Sequence, residues 1–275
     1  MTAGAFAGLS LDVPRIVGII NVTPDSFSDG GEALAVDDAV RRGRELIEAG
    51  ADILDIGGES TRPGAKPVGV GQEITRVEPV VRALADEGYT VSIDSRRASV
   101  MAAAIEAGAK VINDITALTG DPESLALAAE SDLPVILMHM QGDPGTMQGN
   151  PQYDDAAKEI FEYLQGRVEA CREAGIGRSR IAVDPGIGFG KTLAHNLDIL
   201  NRLDVYKDLG CPVLLGASRK SFIGHISREE APKDRVPGSL AAVLSAYARG
   251  VRLFRVHDVT ETRQALAVWQ AIEKN

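Results

Sequence analysis

Eight short apolar runs, each followed by a longer amphipathic stretch, recur along the 275 residues. The runs are "RIVGII" (15–20), "DILDIG" (52–57), "TVSID" (90–94), "KVIND" (110–114), "PVILMHM" (134–140), "RIAVD" (180–184), "PVLLGA" (212–217) and "VRLFRV" (251–256). Near-continuous apolar runs of this kind suit parallel strands covered on both faces. Helical patterns fill the intervals at 36–50, 72–87, 96–107, 122–131, 153–174, 193–202, 237–249 and 259–273. The stretch "VDDAVRRGRELIEAG" shows the helix signals directly, with acids at its start and Gly at its end. No Pro/Ser-rich linker or shift in composition interrupts the alternation. It predicts an α/β chain folded as one (β/α)8 TIM barrel over 15–275, preceded by an N-terminal extension at 1–14 that carries no usable signal. A doubly wound open sheet shares the alternation and remains the structural alternative at this level.

If the chain is a barrel, chemistry belongs at the C-terminal ends of the strands. The residues that follow each run are far more polar than packing requires: Asn21, then "GGESTRPGAKPVGVG", "IDSRR", "INDIT", "MHMQGDPGTMQ", "DPGIGFGKT", "GASRKSFIG" and "RVHDV". The first run opens into "NVTPDSFSDGG" and the second into the Gly/Pro loop just quoted, so long mobile loops are expected after strands 1 and 2.

Two groups of side chains stand out. Arg62, Arg219, Lys220, Arg255 and His257 are basic groups at strand ends of a chain with net charge −10. Arg255 and His257 alternate along one strand and share a face, next to the region where barrels often bind phosphate, so an anionic, phosphate-bearing ligand is expected. The competing reading makes these cations exposed or paired with Asp258 and Glu261. Asp94, Asn113 and Asp184 end strands 3, 4 and 6. As acceptors plus one amide they suit a flat heterocycle with amino and lactam N–H groups. The competing reading makes them helix caps, most seriously for Asp94. Gly216 leaves space at a strand end, Lys220 can donate to a ring carbonyl or nitrogen, and Ser221 stands near a helix start.

Several activities are excluded or disfavoured. "DPGIGFGKT" has three residues between Gly186 and Gly190 where a P-loop has four, so its glycines are expected to admit a flat ligand, with Phe189 as a lid or packing ring. No GxSxG motif appears, and the four histidines lack metal-ligand spacing. His139, within "ILMHM", reads as a core histidine. Any metal is expected to be Mg²⁺ between a protein oxygen and a substrate phosphate. The acidic balance and absence of a basic run argue against nucleic acid. Cys171 and Cys211 have no redox spacing. No segment has the ~20 apolar residues that span a bilayer, and the N-terminus lacks the features of a signal peptide, so a cytoplasmic protein is expected.

The motifs "GIINVTPDSFSDGG", "ADILDIGGESTRPGA", "SIDS", "VINDIT", "DPGIGFGKT", "GASRKSFIG" and "RVHDV", in this order over residues 18–258, resemble those of the dihydropteroate synthases. The resemblance implies a TIM barrel, usually a homodimer, that condenses 6-hydroxymethyl-7,8-dihydropterin diphosphate with 4-aminobenzoate, with Mg²⁺ assisting. It implies that Asp94, Asn113, Asp184, Gly216 and Lys220 hold the pterin, with Asp94 and Lys220 catalytic. Asn21 would bind Mg²⁺, and Asn21, Arg62, Arg255 and His257 the diphosphate. Thr61, Arg62, Pro63, Phe189 and Ser221 would border the 4-aminobenzoate pocket, where sulfonamides compete in this family. The loop after strand 1 would then be a lid, ordered at 24–31 only over substrate. A methyltetrahydrofolate corrinoid methyltransferase would share the pterin-reading acids but has no use for "SRKS" and "RVHD". A catalytically idle pterin-binding homologue is the third reading.

Overall fold

The computed structural model describes residues 4–23, 31–61, 64–65 and 67–274, with backbone only at 31–34. Residues 24–30 of the expected lid, and Arg62 and Pro63, lie outside the described residues.

All eight apolar runs are parallel strands. They are β3 (Arg15–Asn21), β4 (Ile53–Gly57), β5 (Val91–Asp94), β6 (Val111–Asp114), β7 (Val135–Met138), β8 (Ile181–Asp184), β9 (Leu214–Leu215) and β10 (Leu253–Val256), hydrogen-bonded in the order β8-β7-β6-β5-β4-β3-β10-β9. A parallel bridge between Val183 and Val213 joins the two ends of that order. The sheet is therefore a barrel and not the open, doubly wound alternative. β9 is shorter than its apolar run; Pro212, which has no N–H to give, takes part through its carbonyl, which accepts from Val183 N at 2.9 Å.

The main helices α1 (Gly31–Glu48), α2 (Val70–Asp86), α3 (Ala98–Glu106), α4 (Ser124–Glu130), α5 (Ala156–Glu173), α6 (Leu193–Asn201), α8 (Val236–Ala248) and α9 (Val259–Glu273) coincide with the expected ones to within a few residues, apart from an earlier start of α1. A short α7 (Ser221–Ile226) follows β9. Outward residues such as Ile16, Leu54, Ile93 and Phe254 join the helix faces in one large core. Inward residues near the strand starts form a second, smaller core of Val17, Ile53, Val111, Ile136, Ala182, Leu214 and Leu253. Period-two alternation produces both cores from the same strands.

The N-terminal extension turns out to be structural. β1 (Ala5–Phe6) and β2 (Leu9–Ser10) pair antiparallel around Ala7 and Gly8, whose φ values of 50° and 76° fit a type I′ hairpin turn. The hairpin delivers Phe6 and Leu11, both almost fully buried, into the lower barrel core. It is the plug of a barrel whose floor would otherwise be wet. Phe6→Ala should lower unfolding stability in urea by about 3–5 kcal/mol; a loss below about 1 kcal/mol would show that the plug is dispensable.

Candidate active site

Above the apolar floor the barrel interior changes character. Asp94 and Asn113 are register partners near the ends of β5 and β6, and Asp184 ends β8. Arg255, inward on β10, reaches across the barrel. Its Nη2 donates to Asp94 Oδ2 and its Nε to Asp55 Oδ2, each at 2.6 Å. Asp55 is fully buried in the middle of β4 and also accepts from Asn113 Nδ2 at 3.1 Å. Five strands thus contribute to one polar ring.

Asp94 is no helix cap: the N–H of Ala98 at the start of α3 bonds to Asp121 Oδ2 instead, at 3.0 Å. Burial pushes the Asp94 carboxyl up to about 7 against the pull of Arg255, with repulsion from Asp55, Asp114 and Glu73 in the same upward direction. Burial likewise raises Asp184, opposed by the Gly186 N–H that its Oδ1 accepts at 2.7 Å. Burial works against the charge of Arg255, but Asp55 and Asp94 outweigh it and raise its pKa.

Within electrostatic reach of Asp184 and Asp94 lies Lys220, just before α7, with Nζ 3.9 Å from the centroid of the Phe189 ring. Burial and then repulsion from Arg255 bring it down to about 8, against the attraction of Asp184 and Asp94. Gly216 borders the same space: a Cβ there would sit 3.4 Å from Asp184 Oδ2. Phe189 is a packing ring, buried with Ile115, Met138 and Met147. Ser221 is exposed at the first residue of α7, Thr61 is half-buried, and Asn21 ends β3 half-buried at the mouth.

The structure corrects one charge. His257 shares the Arg255 face as expected, but it is not a cation. Its Nδ1 lies 3.0 Å from Ser218 Oγ, and burial, with Arg255 and Arg219 nearby, pushes it down to about 3. It offers hydrogen bonding without charge. Arg219 follows the competing reading, paired with Asp258. His139 is the expected core histidine, pushed down to about 2 by burial and edge-on to Tyr163 at 4.9 Å.

Sequence reasoning missed three groups. Asp55 hid inside an apolar run, although one carboxylate inside "ILDIG" was itself a signal. Lys191, buried beside the site, donates from Nζ to Phe189 O at 2.8 Å and His139 O at 3.2 Å, and lies 3.0 Å from His139 Nδ1. It rivets the loop after β8 to the end of β7. Gly186 permits that contact: its φ is 69° and a Cβ would fall 2.0 Å from His139 O. Glu59 accepts from Arg96 Nε, Arg97 Nη2 and Val68 N at 2.9, 2.8 and 3.2 Å, so one carboxylate clasps both ends of the loop that carries Thr61.

The family described as "Pterin binding enzyme" matches residues 17–257. The chain belongs to this family. It is 46% identical over 267 residues to dihydropteroate synthase of Escherichia coli (strain K12), covering 96% of this chain and 94% of that protein. A structure of Xanthomonas albilineans dihydropteroate synthase with 4-aminobenzoic acid superposes with a TM-score of 0.91 at 49% identity, covering 98% of this chain and 97% of the other. A Yersinia pestis dihydropteroate synthase in a sulfonamide drug complex superposes with a TM-score of 0.91 at 44% identity, covering 97% of both. Within the pterin-binding enzymes the chain thus falls with the dihydropteroate synthases, and its activity is a transfer step of folate synthesis. No helix among the described residues is long and apolar enough to cross a membrane.

The two shifted bases give a direct test. Raising the pH should discharge Lys220 near 8, in place of its ordinary 10.5. NMR of protein with labelled lysine and histidine side chains should show that titration, and no titration of His257 from about pH 5 to 9. A Lys220 midpoint above about 10 would contradict the packing described around its ammonium.

Proposed function

We propose that the barrel mouth condenses 6-hydroxymethyl-7,8-dihydropterin diphosphate with 4-aminobenzoate, giving 7,8-dihydropteroate and diphosphate. The observation that carries this reading is the convergence of Asp94, Asn113 and Asp184 with Lys220 above a closed apolar floor. Three acceptors facing one donor complement a ring bearing amino and lactam N–H groups beside a carbonyl or ring nitrogen.

The diphosphate lies toward Asn21, Arg62, Arg255 and His257. Arg255 spends one N–H on Asp55 and one on Asp94. A guanidinium has five, so three remain for phosphate oxygens. Among the described residues no group of three His, Cys, Asp or Glu side chains could cage a metal. A single amide oxygen from Asn21 fits Mg²⁺, which keeps water and phosphate oxygens as its other ligands. When bound, Mg²⁺ neutralises diphosphate charge and so eases its departure.

The methylene C–O bond breaks first, and its electron pair leaves with the diphosphate. The pterin nitrogens delocalise the resulting cation, and the Asp94 carboxylate stabilises it electrostatically. The aniline nitrogen then forms the new C–N bond and loses its proton. Thr61, Arg62, Pro63, Phe189 and Ser221 border 4-aminobenzoate, and sulfonamides compete in this pocket. The loops after β3 and β4 exclude water during the lifetime of the cation.

The protein works in the cytoplasm as a homodimer. Ile226 and Leu197 are exposed apolar side chains beside a groove lined by Leu200, Phe222, Ile223 and Ala241, and this is the face we assign to the second copy.

Lys220→Ala should weaken binding of 6-hydroxymethyl-7,8-dihydropterin about tenfold or more, as expected for removal of a charged hydrogen-bond donor. Unchanged affinity would remove Lys220 from the site. Deuterium at the reacting methylene should give a clear normal secondary isotope effect under chemistry-limited turnover. An effect near unity would replace the dissociative order with a concerted displacement.

A further inference from the structure

Asp55 has no part among the residues assigned to the reaction above, yet it is fully buried on the inner face of β4. Its register partner is Ser92, whose own partner on β6 is Val111, whereas Asp94 pairs with Asn113. Asp55 therefore lies one inward-facing layer below the Asp94–Asn113 pair. Its Oδ2 receives two donors at once, Asn113 Nδ2 at 3.1 Å and Arg255 Nε at 2.6 Å.

A carboxylate in an ion pair with a guanidinium accepts hydrogen bonds and donates none. The Asn113 carboxamide must turn its NH₂ end down toward that carboxylate, because the flipped amide would set its carbonyl oxygen against a negative charge. With Nδ2 pointing down, Oδ1 points up, toward the mouth. The O/N orientation of a side-chain amide is set by its hydrogen-bond network, and here a charge fixes it.

We propose that Asp55 is a positioning residue of the pterin site: it holds Asn113 Nδ2 and so fixes the Asn113 carbonyl oxygen toward the ligand, which selects a heterocycle presenting an N–H at that point. The inference rests on the reading of Asn113 as a pterin-binding residue. It explains why an acidic side chain is buried at this level beside Ile19 and Ser92: an apolar residue at 55 would leave the amide free to offer either end.

Two experiments test it. In the ligand-free wild type, NMR should show the Asn113 side-chain amide protons exchanging far more slowly than those of exposed Asn150; exchange at the Asn150 rate would overturn the proposal. Asp55→Asn, checked by its melting curve, should raise the Kd for 6-hydroxymethyl-7,8-dihydropterin about tenfold or more. The KM for 4-aminobenzoate should stay within about threefold of wild type. In an Asn113→Ala background the same substitution should cost less, with a coupling of about threefold or more. Additive effects, or an equal rise in both constants, would reduce Asp55 to a general structural role. A wild type that binds no pterin would sink the site assignment, while the amide exchange would still decide what Asp55 does.

Discussion

Arg255 is held inside the barrel between Asp55 and Asp94, and most of the site follows from that ion pair. A guanidinium withdrawn from water is tolerable only with paired and hydrogen-bonded partners. Two carboxylates around one cation leave a surplus negative charge in a buried space. Burial lifts Asp94 to about 7 against the pull of Arg255, and repulsion from Asp55 adds to the rise. On the other side burial and Arg255 lower Lys220 to about 8. The acid and the base are thereby drawn toward neutral pH from opposite directions. Convergent shifts of this kind are common where binding and chemistry occur.

The barrel makes this arrangement possible by dividing its interior into layers. The lowest is apolar and sealed by Phe6 and Leu11 from the N-terminal hairpin. The next holds Asp55, and the one above presents Asp94 and Asn113. Because the floor is dry, charges above it keep their strength and their geometry. Around the rim, Lys191 and Glu59 tie loops to neighbouring strand ends, so Phe189 and Thr61 are placed by fixed contacts.

Much of this was legible in the sequence, for a physical reason. Strand alternation sets which face a residue occupies, and strand ends in a barrel converge, so Asp94, Asn113, Asp184 and Arg255 could be grouped from pattern alone. Depth and charge state could not. Asp55 follows the same alternation as its apolar neighbours, and only its partners Asn113 and Arg255, far away in sequence, give it meaning. His257 looked like a cation because its neutrality depends on Arg255, Arg219 and burial acting together. The hairpin at 5–10 was invisible because two-residue strands carry almost no periodicity, although Ala7–Gly8 lies at its turn.

We assign dihydropterin transfer to this ring of acceptors, with Lys220 and Arg255. The most direct measurement supplies the purified protein with 6-hydroxymethyl-7,8-dihydropterin diphosphate, 4-aminobenzoate and Mg²⁺, and quantifies both products. Dihydropteroate and diphosphate should appear in equal amounts, with dihydropteroate formed only when 4-aminobenzoate is present. Folded protein that binds the pterin but forms no dihydropteroate would contradict the account.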